Sequence, residues 1–172
     1  MVSPGRLVLG IDPGSIALGW GVVAARGNSC RHVASGVIRP KAKAFNDRLL
    51  EIGSEIEEIL RAHRPSEAAV ETAFFHEKVS VQSALKLGHV RGVVILLCRR
   101  GGVPVSEYAP AEIKRAIAGK GRAEKFQVAR MVQIVLGLSA PPPADAADAL
   151  AVALTHLQRG TLPSLAGSIR GR

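Results

Sequence analysis

The chain has 172 residues, 47% of them hydrophobic and only 3% aromatic. That length and apolar content support one compact globular domain whose core is packed mainly by Leu, Val, Ile and Ala. Lys and Arg number 23 against 14 Asp and Glu, a formal net charge of +9, which suits either a polyanionic partner, most simply nucleic acid, or a solvated basic surface. Cys30 and Cys98 lie far apart with no metal-ligand spacing and read as reduced thiols of an intracellular protein. No charged-then-apolar signal opens the chain, and the longest apolar run, Gly92 to Cys98, is too short to span a bilayer. The sequence therefore predicts a soluble, cytoplasmic protein that does not engage a membrane.

The stretch Leu7-Val8-Leu9-Gly10-Ile11-Asp12-Pro13-Gly14-Ser15 is an apolar run that meets one aspartate and then breaks. It reads as a buried central strand over 6–12 with Asp12 at its end. A carboxylate there is costly to desolvate unless it is paired or holds a cation, so Asp12 either caps the turn or binds an ion. Strands over 18–25 and 31–38 follow, the second after the hairpin signal Gly27-Asn28, which makes an antiparallel meander. Phe45, Leu49, Ile52, Ile56 and Ile59 then recur at helical spacing, predicting an amphipathic helix over 44–63 that Pro65 stops; its glutamates form a solvated face.

Residues 67–72 form a short fourth strand ending near Glu71. A strand that follows a crossover helix pairs parallel with the first strand, which sets Glu71 and Asp12 at the same sheet end, where ligands bind in such sheets. Phe74 and Phe75 lie next in a polar loop, as a core anchor or as a wedge that stacks on bases. A long helix over 80–100 carries Gly88 and Gly92 four residues apart, a flat stripe for close helix–helix approach. A fifth strand over 103–108 and a helix opened by Pro110 lead to Lys114, Lys120, Arg122 and Lys125 around the glycine-containing loop 119–121. Such a basic loop beside a carboxylate site is suited to phosphate backbones, or is a solvated face. After Pro141-Pro142-Pro143 a final Ala- and Leu-rich helix begins near Ala144, with Asp145 and Asp148 on one face of its first turn, where the helix dipole also favours acids. Residues 1–158 form the domain, and 159–172 a flexible basic tail.

The candidate acids are Asp12, Glu71, Asp145 and Asp148. Brought together they would raise one another's pKa unless cations neutralised them. All-oxygen ligation suits Mg²⁺ or Mn²⁺ rather than zinc, and a pair of such ions is suited to phosphodiester cleavage. No Ser-His-Asp arrangement or HExxH motif competes.

The ordered motifs Gly10-Ile11-Asp12-Pro13-Gly14-Ser15, Glu71 with Phe74, Ser83-Ala84-Leu85-Lys86-Leu87-Gly88 with Arg91-Gly92, Ala123-Glu124-Lys125, and Asp145-Ala146-Ala147-Asp148-Ala149-Leu150-Ala151 resemble the RuvC family of Holliday junction resolvases across about residues 6–157. The resemblance implies an α/β, RNase H-like fold: a five-stranded mixed β-sheet flanked by α-helices. It implies a homodimer that binds four-way junction DNA, nicks two strands of like polarity symmetrically and leaves ligatable ends, served by a branch-migration helicase complex. By motif it assigns Asp12, Glu71, Asp145 and Asp148 as catalytic, metal-binding acids holding Mg²⁺ or Mn²⁺, two ions per site. Phe74 or Phe75 becomes the stacking aromatic, Lys114 and Lys125 the basic residues near the scissile phosphate, and Ala84, Gly88 and Gly92 the dimer helix; Lys120 and Arg122 join the DNA contacts on the basic-loop reading alone. An actin- or kinase-like ATPase shares the Asp-Pro-Gly-Ser loop, but needs two such domains and a second phosphate loop that this length does not hold.

Overall fold

The computed structural model describes residues 5–27, 29–72 and 80–161. The chain runs β1 (Arg6–Asp12), β2 (Leu18–Arg26), β3 (Ser29–Ile38), α1 (Phe45–His63), β4 (Glu67–Glu71), α2 (Val81–Arg100), β5 (Val105–Tyr108), α3 (Pro110–Ala118), α4 (Lys125–Leu136) and α5 (Ala144–Thr161). The strands form one five-stranded sheet in the order β3-β2-β1-β4-β5. β1 is antiparallel to β2 and parallel to β4, and β4 is parallel to β5. The parallel β1–β4 pair follows from the α1 crossover, as the sequence predicts. β3 opens at Ser29, two residues before the expected start, and β5 only at Val105, because Gly101 and Gly102 turn the chain and Val103 packs into the core first. α5 continues to Thr161, so it takes up the first residues of the expected tail; 162–172 lie outside the described residues.

Helices cover both faces, and the period of two along each strand decides which residue meets which layer. Leu9, Ile11, Ala68 and Val70 point to one side and pack with Ile52 and Ile56 of α1 and Val90 and Val94 of α2. Val8 and Ala69 point to the other and pack with α3, α4 and α5. Counting on by two, Asp12 and Glu71 leave the sheet on the α5 side. The Ile11–Val70 register across β1 and β4 puts them on neighbouring positions at the same sheet end.

Over β1 and β2 the sheet is nearly bare, and α5 sits directly on it. A Cβ on Gly10 would lie 2.1 Å from the Ala149 carbonyl oxygen, and one on Gly19 would lie 1.9 Å from the Asp145 carbonyl oxygen. Backbone touches backbone there, and Ala146, Ala147 and residues 149–157 of α5 are buried. This close approach brings the first turn of α5, with its two aspartates, beside Asp12, whose register partner in β2 is Gly19.

On the opposite layer, α2 buries Val90, Val94 and Cys98 and leaves Val81, Leu85 and Leu96 exposed. By length and composition this helix could cross a membrane. The run Gly92 to Cys98, judged too short on its own, is only part of it. Lys86, His89 and Arg91 interrupt its apolar sequence, and Arg91 is ion-paired to Glu107 of β5.

Gly10→Ala should destabilise the fold by about 1–3 kcal/mol or more, since the added methyl meets backbone that cannot yield without moving α5. In an open strand the same change is neutral or favourable. Urea denaturation reads the difference, and an unchanged or raised midpoint would contradict the close packing of α5 on β1.

Candidate active site

The site is a cavity of about 110 Å³ lined by Asp12, Glu71, Pro110, Ile113, Lys114, Lys125, Val128, Asp148 and Ala151. Asp12 comes from the end of β1, Glu71 from the end of β4, Lys114 from α3, Lys125 from the first turn of α4 and Asp148 from α5. Ile113, Val128 and Ala151 form the apolar floor, so the acids stand half-buried over a poorly hydrated base. The Lys125 Nζ donates a 3.0 Å hydrogen bond to Asp148 Oδ2.

Burial first, and then the charge of Asp148, raises the Asp12 pKa to about 7. Burial, and then the charges of Asp12 and Asp148, raises Glu71 to about 7 as well. Lys125 opposes both shifts, and its own pKa is raised, chiefly by its hydrogen bond to Asp148. The pocket therefore holds more negative charge than its two lysines offset.

Glu67, on the same short strand, has the opposite fate. Its carboxylate takes a bidentate pair of hydrogen bonds from Arg6 at 2.7 and 2.8 Å. His156 Nε2 lies 2.8 Å from its Oε2 and His156 Nδ1 lies 2.8 Å from the Tyr108 hydroxyl. Arg6 first and His156 after it hold Glu67 down at about 2. An ionised Glu67 can only accept, so Nε2 of His156 is the donor in that contact. One β4 glutamate is thus a satisfied structural anion; the other is a destabilised one in a cleft, as expected of an acid that awaits a cation.

The structure brings Asp12, Glu71 and Asp148 together with Lys114 and Lys125. Asp145 does not line the cavity: its carboxylate lies 3.5 Å from Arg39 Nη2, although its charge still reaches Asp12 and its backbone rests on Gly19. Lys120 and Arg122 are exposed in the α3–α4 loop outside the cavity. Among the described residues no three acid, His or Cys side chains are already drawn into a closed metal cluster, as expected when Lys125 occupies Asp148 and like charges hold apart. Ala84 is half-buried, and Gly88 and Gly92 are exposed on α2 with nothing within 4 Å of a Cβ built on either glycine. Phe74 and Phe75 lie outside the described residues. Sequence reading missed Arg39 and the Arg6–Glu67–His156–Tyr108 network. Arg39 carries no motif, and the network joins residues up to 89 positions apart.

A family model, crossover junction endodeoxyribonuclease RuvC, matches residues 8–156. The chain belongs to the RuvC family. It is 53% identical to the crossover junction endodeoxyribonuclease RuvC of Sorangium cellulosum over 94% of this chain and 90% of that protein. It is 48% identical to that of Alkalilimnicola ehrlichii over 90% and 93%. A solved structure of Thermus thermophilus RuvC in complex with a Holliday junction substrate superposes with a TM-score of 0.83 at 39% identity, covering 90% of this chain and 94% of that one. A yeast mitochondrial Holliday junction resolvase shares the fold, with a TM-score of 0.62 at 14% identity over 90% and 79%. The five-stranded mixed sheet with its helices is the RNase H-like fold of RuvC structures, and the chain is a nuclease of this divalent-metal-dependent family.

The residues present fit such a metal. Their donor set is all oxygen, and two of the acids are pushed to about 7 by burial and mutual repulsion, a strain that a hard divalent cation relieves. Without the cation, Asp12 and Glu71 bind protons more readily folded than unfolded. Their contribution to stability is therefore fullest below about pH 4 and is lost as the pH rises through about 7. Adding Mg²⁺ or Mn²⁺ should accordingly raise the melting temperature clearly more near pH 8, where the acids are ionised, than near pH 5, where protons compete. Equal shifts at the two pH values would contradict the site.

Proposed function

We propose that this chain resolves four-way DNA junctions as a homodimer by hydrolysing one phosphodiester at each carboxylate cavity. What carries the reading is the meeting of Asp12, Glu71 and Asp148 with Lys114 and Lys125 in one cleft on a chain of net charge +9. Asp12, Glu71 and Asp148, joined by Asp145 once it leaves Arg39, are the acids that hold Mg²⁺ or Mn²⁺, two ions per site. When bound, such ions supply positive charge to the scissile phosphate and lower the pKa of an attacking water.

The chain's own residues do the rest. Lys114 and Lys125 draw the phosphate into the cleft and offset its charge. Lys125 exchanges Asp148 for a phosphate oxygen, which frees that carboxylate at the moment DNA arrives. Lys120 and Arg122 continue the positive track along the backbone, a contact that fixes register without reading sequence. Ile113, Val128 and Ala151 keep the floor dry, so every charge interaction above them is stronger than in water. In the family pattern Phe74 or Phe75 supplies the base stack at the open junction centre.

The exposed stripe of α2 around Ala84, Gly88 and Gly92 is the surface we assign to the second copy. Two glycines with open space above them let helices approach closely, and Val81 and Leu85 supply apolar area beside them. Lys86, His89 and Arg91 suit that role better than contact with lipid. The nuclease domain extends through α5 to Thr161 and residues 162–172 act as a basic tail, in the cytoplasm, with a branch-migration helicase complex delivering the junction.

Asp12→Asn should leave junction binding within a few-fold of wild type and reduce cutting to background, since it removes a ligand charge and little volume. Gel shifts and cleavage of a synthetic four-way junction, with linear duplex as control, read both. Wild-type cutting by the variant would end the metal assignment. No preference for the junction over duplex in the unaltered protein would end the substrate assignment.

A further inference from the structure

The chain holds 4 Phe, 1 Trp and 1 Tyr, and among the described residues nearly all of these are packed. Trp20 lies tilted against His63 at 5.8 Å, Phe45 meets His89 edge-on at 5.9 Å, and Tyr108 is buried against His156. Phe126 is the exception, with 72% of its surface exposed. Burying a ring of this size is worth roughly 1.5–3 kcal/mol, so a solitary exposed phenylalanine leaves a large apolar surface unused within the monomer.

Its position gives that surface a use. Phe126 is the second residue of α4, directly after Lys125, whose ammonium reaches Asp148 inside the carboxylate cavity. The approach to it is mainly cationic: Lys120 and Arg122 are exposed in the loop before the helix and Arg130 is exposed one turn further along the same helix face, against the exposed acid Glu124 at the α4 N-cap. An exposed aromatic ring next in sequence to a cation that reaches a carboxylate cleft resembles the arrangement by which proteins hold single-stranded bases, with charge following the backbone and the ring receiving a base. Consecutive side chains leave a helix about 100° apart, so the Phe126 ring projects beside the cleft and not into it, where a base flanking a phosphate held at Lys125 would pass.

We propose that Phe126 stacks on a base beside the scissile phosphate and so positions the strand for cutting, in addition to the aromatic expected from the 74–75 loop. This rests on the nuclease reading above. A phosphate pulled into a narrow cleft can still slide along its own backbone; a base held against a ring next to it fixes which phosphate is presented. Phe126 is therefore a positioning residue on the strand side of the site. Its effect should grow where neighbouring bases are unpaired, as near the junction centre, and shrink on fully paired duplex.

The test uses the full chain, a four-way junction with 2-aminopurine next to the phosphate that the wild type cuts, and the variants Phe126→Ala and Phe126→Tyr. In EDTA the wild type should change the 2-aminopurine fluorescence on binding, Phe126→Tyr should keep that change, and Phe126→Ala should lose it. In Mg²⁺, Phe126→Ala should cut with kcat/KM lower by roughly tenfold, the scale of one lost base stack, with its cuts spread over neighbouring phosphates. Its melting temperature should match wild type, because the ring is exposed. Wild-type fluorescence change and cutting in Phe126→Ala would overturn the proposal, as would loss of cutting with the fluorescence change intact, which would place some other partner on the ring. Wild-type protein that leaves junctions uncut would instead overturn the nuclease reading, so the two failures are separable.

Discussion

Helix α5 reaches the end of β1 only because the sheet beneath it lacks side chains. Gly10 and Gly19 let helix backbone rest on strand backbone, at separations that any Cβ would violate. The rest of the site follows from that contact. With α5 pressed onto β1 and β2, Asp148 shares a cleft with Asp12 and Glu71, which strand periodicity has already turned toward the same face. A helix held one side-chain layer higher would carry its aspartates out into water, where two acids three residues apart do no more than favour the helix dipole.

That enforced proximity explains the electrostatics. Burial and like charge push Asp12 and Glu71 to about 7, and Lys125 is bound to Asp148 as a partial counterweight. The arrangement is destabilising by itself, and cations and a phosphate entering the cleft would offset that cost. Glu67 is the internal control. It stands on the same strand, but Arg6 and His156 satisfy it and hold it near 2. Chemical capability here is set by what surrounds a carboxylate and cannot be read from its residue type.

Much of this was legible in the sequence, and the parts that were not share a physical reason. The apolar run into Asp12, the helical spacing of Phe45 to Ile59 and the strand after Pro65 are local signals, and together they imply the parallel pairing that aligns Asp12 with Glu71. The Asp145–Asp148 spacing marks one helix face, but helix spacing alone does not say which aspartate turns into the cleft; the contact of Asp145 with Arg39 is made only once β3 and α5 meet. The Arg6–Glu67–His156–Tyr108 network is invisible for the same reason, since its members lie on four separate elements. The apolar run Gly92 to Cys98 understated α2, whose exposed apolar face emerges only when the whole helix is laid on the sheet. Phe126 looks ordinary in sequence, and only its exposure beside Lys125 singles it out.

The central claim is that acids distant in sequence are forced into one cleft that takes divalent metal. The most direct measurement is a crystal structure of the protein with Mn²⁺, with the anomalous signal used to place the ion. Mn²⁺ density is expected in the cleft, within coordination distance of carboxylate oxygens of Asp12, Glu71 and Asp148, with Lys125 displaced from Asp148. Mn²⁺ bound elsewhere with the cleft unaltered, or acids turned away from one another into solvent, would contradict it.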